Sequence, residues 1–112
     1  MNNSYVYHAY GGEDVNVIPY KTHYASNNNT AIRLVVADGE YAGEEWNIIS
    51  VNIADLPENL IAVDTNNCCG AERFLKEHGF GKPTGKLLHS GFCTYPVYEI
   101  KLDMIESDPE EE

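Results

Sequence analysis

The stretch TAIRLVVADGEYAGEEWNIISVNI, residues 30–53, decides the fold. Ile32, Leu34 and Val36 alternate with Ala31, Arg33 and Val35, the period-two pattern of a strand. Asp38-Gly39 then supplies the turn of a hairpin or a slightly longer loop. Residues 44–53 read as the returning strand, with Ile49, Val51 and Ile53 on one face and Trp46 and Ile48 on the other. A strand, a turn and a returning strand make an antiparallel pair.

The flanking segments extend that pair. SYVYHAY (4–10) is a β-branched and aromatic strand closed by Gly11-Gly12, and VNVIPY (15–20) is a second extended piece. Pro19 lacks a backbone N–H, so an edge position is expected there. Residues 21–30, KTHYASNNNT, carry no periodicity and read as a polar loop. ADLPENL (54–60) is a turn and LIAVD (60–64) a buried strand. One helix follows: Ala71, Phe74, Leu75 and His78 form an apolar stripe, Glu72 suits the first turn, Lys76 the last, and Gly79 the C-terminal cap. FGKPTG (80–85) reads as a loop, and residues 86–102 as extended chain broken by Gly91 and Pro96. The expected class is α+β, a small mainly antiparallel sheet of about five to six strands with one short helix packed on one face. Eight tyrosines are candidates to line the opposite, partly open face, since a tyrosine ring packs while its hydroxyl stays wet, the alternative being that Tyr5, Tyr7 and Tyr98 are simply strand formers. Residues 1–106 are expected to form a single domain and 107–112 a solvated acidic tail.

Charge is the strongest global signal. The 112 residues hold 18 acids and 7 bases, a net charge of −11. Residues 1–66 carry nine acids and two bases, residues 67–102 three acids and five bases, and the last ten residues six acids and no base. Such a chain is repelled by phosphate, so no direct nucleic-acid binding and no membrane association are expected; it would be steered towards basic protein surfaces, the alternative being that the acidity only keeps it soluble. The first residues lack the charge and apolar pattern of a signal peptide, and three cysteines, two of them adjacent, fit reduced thiols; a cytoplasmic location is expected.

Catalytic and metal templates fit poorly. Zinc would need Cys68 or Cys69 with Cys93, His78 and His89, but adjacent cysteines diverge and His78 lies about two helical turns away. A thiol enzyme would use Cys69, with His89 as base and Asp64 or Asn66 as orienter, yet nothing in the spacing brings these together. GFGKPTG has the wrong spacing for a phosphate loop, and Glu44-Glu45 alternate across a strand rather than converge. The run Asp64, Thr65, Asn66, Asn67 is instead expected to cap the helix, leaving Cys68 and Cys69 as small fillers. No catalytic residue, metal or cofactor is therefore expected, and a Cys/His hydrolase or transferase is the last of the alternatives.

Four strings then matter together: AIRLVVADGE, SVNIADLPENLIAVDTNN, AERFLKEHGFGKPTG and HSGFCTYPVYEIKL. With their particular elements Asn52-Ile53, Asp64 to Asn67, Pro83-Thr84-Gly85 and Ser90 to Pro96, residues 30–102 resemble an uncharacterised family of short acidic proteins of plasmids, conjugative elements and phages of gut bacteria. That family carries only a domain-of-unknown-function label. The resemblance implies a setting, a bacterial cytoplasm and a travelling gene, and no catalytic residue. Setting and charge together give the leading expectation: a non-enzymatic inhibitor of a host defence system, of anti-restriction or anti-CRISPR type. It would present nucleic-acid-mimicking carboxylates to a host defence nuclease. Asp38, Glu40, Glu44 and Glu45 around one hairpin are the candidate partner-binding residues. The alternatives are a binder or sponge for a nucleotide signal, using Asn66, Asn67, Lys82, Lys86, Ser90 and Tyr95, or a housekeeping protein of the mobile element.

Overall fold

The computed structural model describes residues 3–109. Their elements are β1 (Tyr5–His8), β2 (Asp14–His23), β3 (Thr30–Val36), β4 (Glu45–Ile48), β5 (Ser50–Val51), β6 (Leu60–Val63), α1 (Ala71–Glu77), β7 (Gly81–Ser90), β8 (Cys93–Ile100) and β9 (Glu106–Ser107). The fold is α+β, mostly antiparallel, with a single short helix among the described residues. The expected count of one sheet is corrected, because the strands divide into two. A five-stranded sheet runs β1-β2-β3-β4 with β9 added on β2, and a four-stranded sheet runs β5-β6-β8-β7.

Ile49 makes the division. The expected strand 44–53 breaks there into β4, which pairs with β3, and β5, which pairs with β6. The Ile49 N–H donates to Ile32 O at 3.1 Å, while its C=O accepts from Asp64 N–H at 2.8 Å. One residue thus hands the chain from the first sheet to the second with both backbone groups satisfied. Alternation cannot register such a change of partner, because it reports the face a side chain takes and not the strand its backbone pairs with.

Two expected loops are strands. Lys21–His23 complete β2, and a turn after Tyr24 leads into β3, with Tyr24 O accepting from Asn28 N at 2.9 Å. Gly81–Ser90 form β7 on the outer edge of the second sheet, where exposure makes their polar composition tolerable. The edge expected for Pro19 is corrected as well, since β2 is interior to its sheet. Its neighbours on one side are β1, which reaches Val17, and β9, which starts opposite Tyr20. Asn16 O and Lys21 O accept on opposite sides of β2, from Ala37 in the β3 direction and from Asp108 beyond β9. By that alternation the Pro19 nitrogen faces the gap between β1 and β9, where no ladder bond is missing.

The core lies between the two sheets and under α1. Tyr7, Val17, Ile32 and Leu34 come from the first sheet, Ile61, Val63, Tyr98 and Ile100 from the second, and Phe74 and Leu75 from the helix. Burying each such side chain stabilises the fold by about 1.5–3 kcal/mol. The expectation that tyrosines line an open face is corrected: Tyr7 and Tyr98 are fully buried, and Tyr20 and Tyr95 nearly so. Burial is affordable because the hydroxyls have partners, Tyr7 donating to Cys69 O at 2.8 Å and Tyr98 to the Glu72 carboxylate at 2.7 Å.

The helix ends as its sequence predicts. Gly79, at φ 72°, donates its N–H to Lys76 O, and Phe80 N–H reaches Leu75 O, the paired bonds of a Schellman ending. The solvated tail expected from residue 107 is corrected at its start: β9 pairs in parallel with β2, and Asp108 is buried on Arg33. Glu110, Glu111 and Glu112 lie outside the described residues. No described helix is long and apolar enough to cross a membrane.

Candidate functional site

The β1–β2 and β3–β4 connections emerge at the same end of the five-stranded sheet, because Val17 stands opposite both Tyr5 and Val36. That end is an acidic rim. It carries Glu13 and Asp14 beside the expected Asp38, Glu40, Glu44 and Glu45, all six exposed, and neither connection contains a lysine or arginine. The rim is partly organised by its own hydrogen bonds. Asn16 Nδ2 donates to Asp38 at 2.9 Å, His8 Nδ1 faces Asp14 at 2.8 Å, and Arg33 Nε donates to Glu45 at 3.0 Å. Glu45 is therefore the least available of the four expected residues, while Glu13, Glu40 and Glu44 form no ion pair among the described residues. Exposed Tyr41 stands in the same loop.

Behind the rim the sheet curls. Tyr7 on β1 and Trp46 on β4 belong to strands at opposite ends of the order, yet their ring centroids are 4.6 Å apart. Their rings, with Glu13, Asn47 and the Asn67–Cys69 segment, line a cleft of about 220 Å³. Glu13, Asp14, Trp46 and Asn47 were missed as site residues. The signal available was the clustering of Glu44, Glu45 and Trp46 in sequence; the proximity of Glu13 is set by strand pairing alone.

The expected capping run does something different. Asp64 Oδ1 accepts the Asn67 N–H at 3.1 Å, and Asn67 Nδ2 donates to both Asp64 oxygens, so Asp64 closes the turn that follows β6. The residue at the helix N-cap is Gly70, at φ 90°, with no side-chain cap. Three extra residues between turn and helix account for the difference, and they turn Cys68 inward while Cys69 stays exposed. Burial, and behind it the Asp64 carboxylate, pushes the Cys68 thiol from its ordinary 9.0 up to about 11, the opposite of activation. Its Sγ faces Ile48 O at 3.5 Å. His78 Nε2 faces Val6 O at 2.8 Å, and His89 Nδ1 faces the Thr94 hydroxyl at 3.0 Å in the β7–β8 hairpin.

The six expected ligand-binding residues are spread over the second sheet. Asn66 and Asn67 stand in the turn after β6, and Tyr95 is buried on β8. Lys82 begins β7 opposite Glu99, its Nζ 3.8 Å from that carboxylate, whereas Ser90 ends the same strand, roughly 25 Å away in extended chain. Lys86 sits between them beside Thr84, whose Oγ1 accepts the Lys86 N–H. Lys82 borders a cleft of about 440 Å³ with Ile100, Leu102 and Asp103, and Asn67 borders the cleft at Trp46.

A family model described as a domain of unknown function (DUF4313) matches residues 21–111. The match reaches beyond the resembled residues 30–102 to take in the β2–β3 turn and β9. Neither a curated protein nor a solved structure matches the chain.

Proposed function

The chain belongs to the DUF4313 family of unknown function, and from that premise we propose that it is a non-enzymatic binding protein whose acidic rim engages a basic protein surface. The observation that carries this reading is the rim itself: six exposed carboxylates, four on two neighbouring connections that hold no lysine or arginine and two at the strand starts that follow them. Carboxylates fixed on a rigid sheet end form charge-assisted hydrogen bonds with arginine and lysine and speed association at low salt. The basic surface is that of a nucleic-acid-binding protein, for which the carboxylates stand in for phosphates. Together with the resemblance to proteins of mobile elements, this favours a defence nuclease of the bacterial cytoplasm as the partner, blocked at its nucleic-acid channel.

The test is capture from a lysate of a bacterial host that carries a defence nuclease. The immobilised protein retains a nucleic-acid-binding protein at about 0.1 M salt and releases it at about 0.4 M, where the Debye length is halved. The triple variant Glu13→Gln, Glu40→Gln, Glu44→Gln, which changes exposed side chains only, retains at most a tenth as much. Equal capture by both proteins contradicts the proposal.

A further inference from the structure

We infer that the cleft between Trp46, Glu13 and Asn67 is the seat for an arginine side chain of the basic partner. The inference rests on the binding reading above and names the group that anchors it. Three surfaces of different chemistry converge there. Trp46 is half-buried and packed on Tyr7, so its indole is held in place while part of it remains open to the cleft. A cation over an indole face is attracted by the ring quadrupole, and a planar guanidinium stacks on it where an ammonium cannot. Glu13 supplies a carboxylate on the rim side that forms no ion pair among the described residues. Asn67 spends its amide N–H groups on Asp64, at 3.4 and 3.2 Å, which leaves its carbonyl oxygen as an acceptor.

The remaining lining group fits the same guest. Asn47 Oδ1 accepts the Ile48 N–H at 3.1 Å, leaving the Asn47 amide N–H groups to meet a backbone carbonyl beside the inserted side chain. The seat is thus acceptor-rich at its carboxylate end, aromatic at its wall and donor-bearing at one margin, which matches an arginyl residue within a peptide. A lysine would satisfy Glu13 but leave the indole face and Asn67 without their planar, many-donor partner. The position is also continuous with the rim, so the charges that steer the partner in lead directly to the seat.

The protein has a single tryptophan, so fluorescence excited at the red edge, where its eight tyrosines do not absorb, reports on the seat. Hexa-arginine and hexa-lysine peptides are titrated into the full chain at about 0.1 M salt. Hexa-arginine is expected to change Trp46 emission and to bind about tenfold more tightly than hexa-lysine. Glu13→Gln, on an exposed side chain, is expected to weaken hexa-arginine about tenfold while moving hexa-lysine less than threefold. Asn67→Ala, checked for folding by circular dichroism, should weaken hexa-arginine selectively. Equal, salt-sensitive binding of both peptides overturns the arginine seat but leaves the acidic-rim reading standing. Binding of neither peptide overturns both.

Discussion

Cys68 and Gly70, two residues apart, show how differently neighbouring residues are constrained. Cys68 is buried, and its thiol is pushed up to about 11 by burial and by Asp64. Because the folded-state value lies above the unfolded one, the stability tied to this thiol is complete below about pH 9 and is lost as pH rises through about 11. The loss is at most about 3 kcal/mol. Burial raises Tyr7 and Tyr98 in the same direction, adding to the decline above their ordinary 10.0. Urea midpoints at about pH 7.5 and 10.5 should therefore fall for the native chain and fall less for Cys68→Ala; equal falls contradict the assignment. Gly70 is fixed by space as well as by φ. At φ 90° an added Cβ would lie 2.3 Å from His8 O, so Gly70→Ala should cost about 3 kcal/mol in denaturant unfolding. A cost under about 0.5 kcal/mol would show that the β1–helix approach relaxes freely. The divergence of the two cysteines was legible in their adjacency. Which of them is buried was not, because that depends on the three residues between the Asp64 turn and the helix.

Elements were legible where a local rule is strong and lost where a neighbour decides. α1 is announced by its apolar stripe and its Gly79 ending, both written within ten residues. The ends of β2 and β7 read as loops because residues 21–23 lie in a polar run without periodicity and Pro83 and Gly85 are turn formers. Pairing with β3 and β8 overrides that local preference. β9 is the extreme case, two residues of a polar tail held through Arg33, whose Nη1 lies 3.1 Å from both oxygens of Asp108. The two side chains are 13% and 6% exposed, so removing one partner strands a charge rather than merely cutting a contact. Arg33→Ala should cost about 3–5 kcal/mol. Glu45→Gln, which touches the same guanidinium from a side chain 49% exposed, should cost under about 1 kcal/mol. Urea unfolding of the two variants checks this, and similar costs would mean that β9 is not anchored by the pair.

At the scale of the molecule, the two sheets share one core and are joined through Ile49, so they should unfold together in one transition. The net charge of −11 works against that compact state through self-repulsion. Raising salt from about 0.02 to 0.5 M should lift Tm by about 3 °C or more, as the Debye length falls well below the dimensions of the rim. A Tm that does not change, followed by circular dichroism or calorimetry, would show that the acids are already balanced locally. By itself the sequence determined the α+β class, the positions of most strands and of the helix, and the acidic character of the β3–β4 loop. Each of these depends on residues within about a dozen of one another, through periodicity, turn chemistry or composition. Only the tertiary structure decided that the strands form two sheets, that Glu13 joins the rim, that Tyr7 meets Trp46, and that Asp108 reaches Arg33 across 75 residues. The physical reason is that a strand's period fixes which face a side chain takes but leaves its hydrogen-bonding partner open. That choice is made by the burial of the whole core, to which distant segments contribute together.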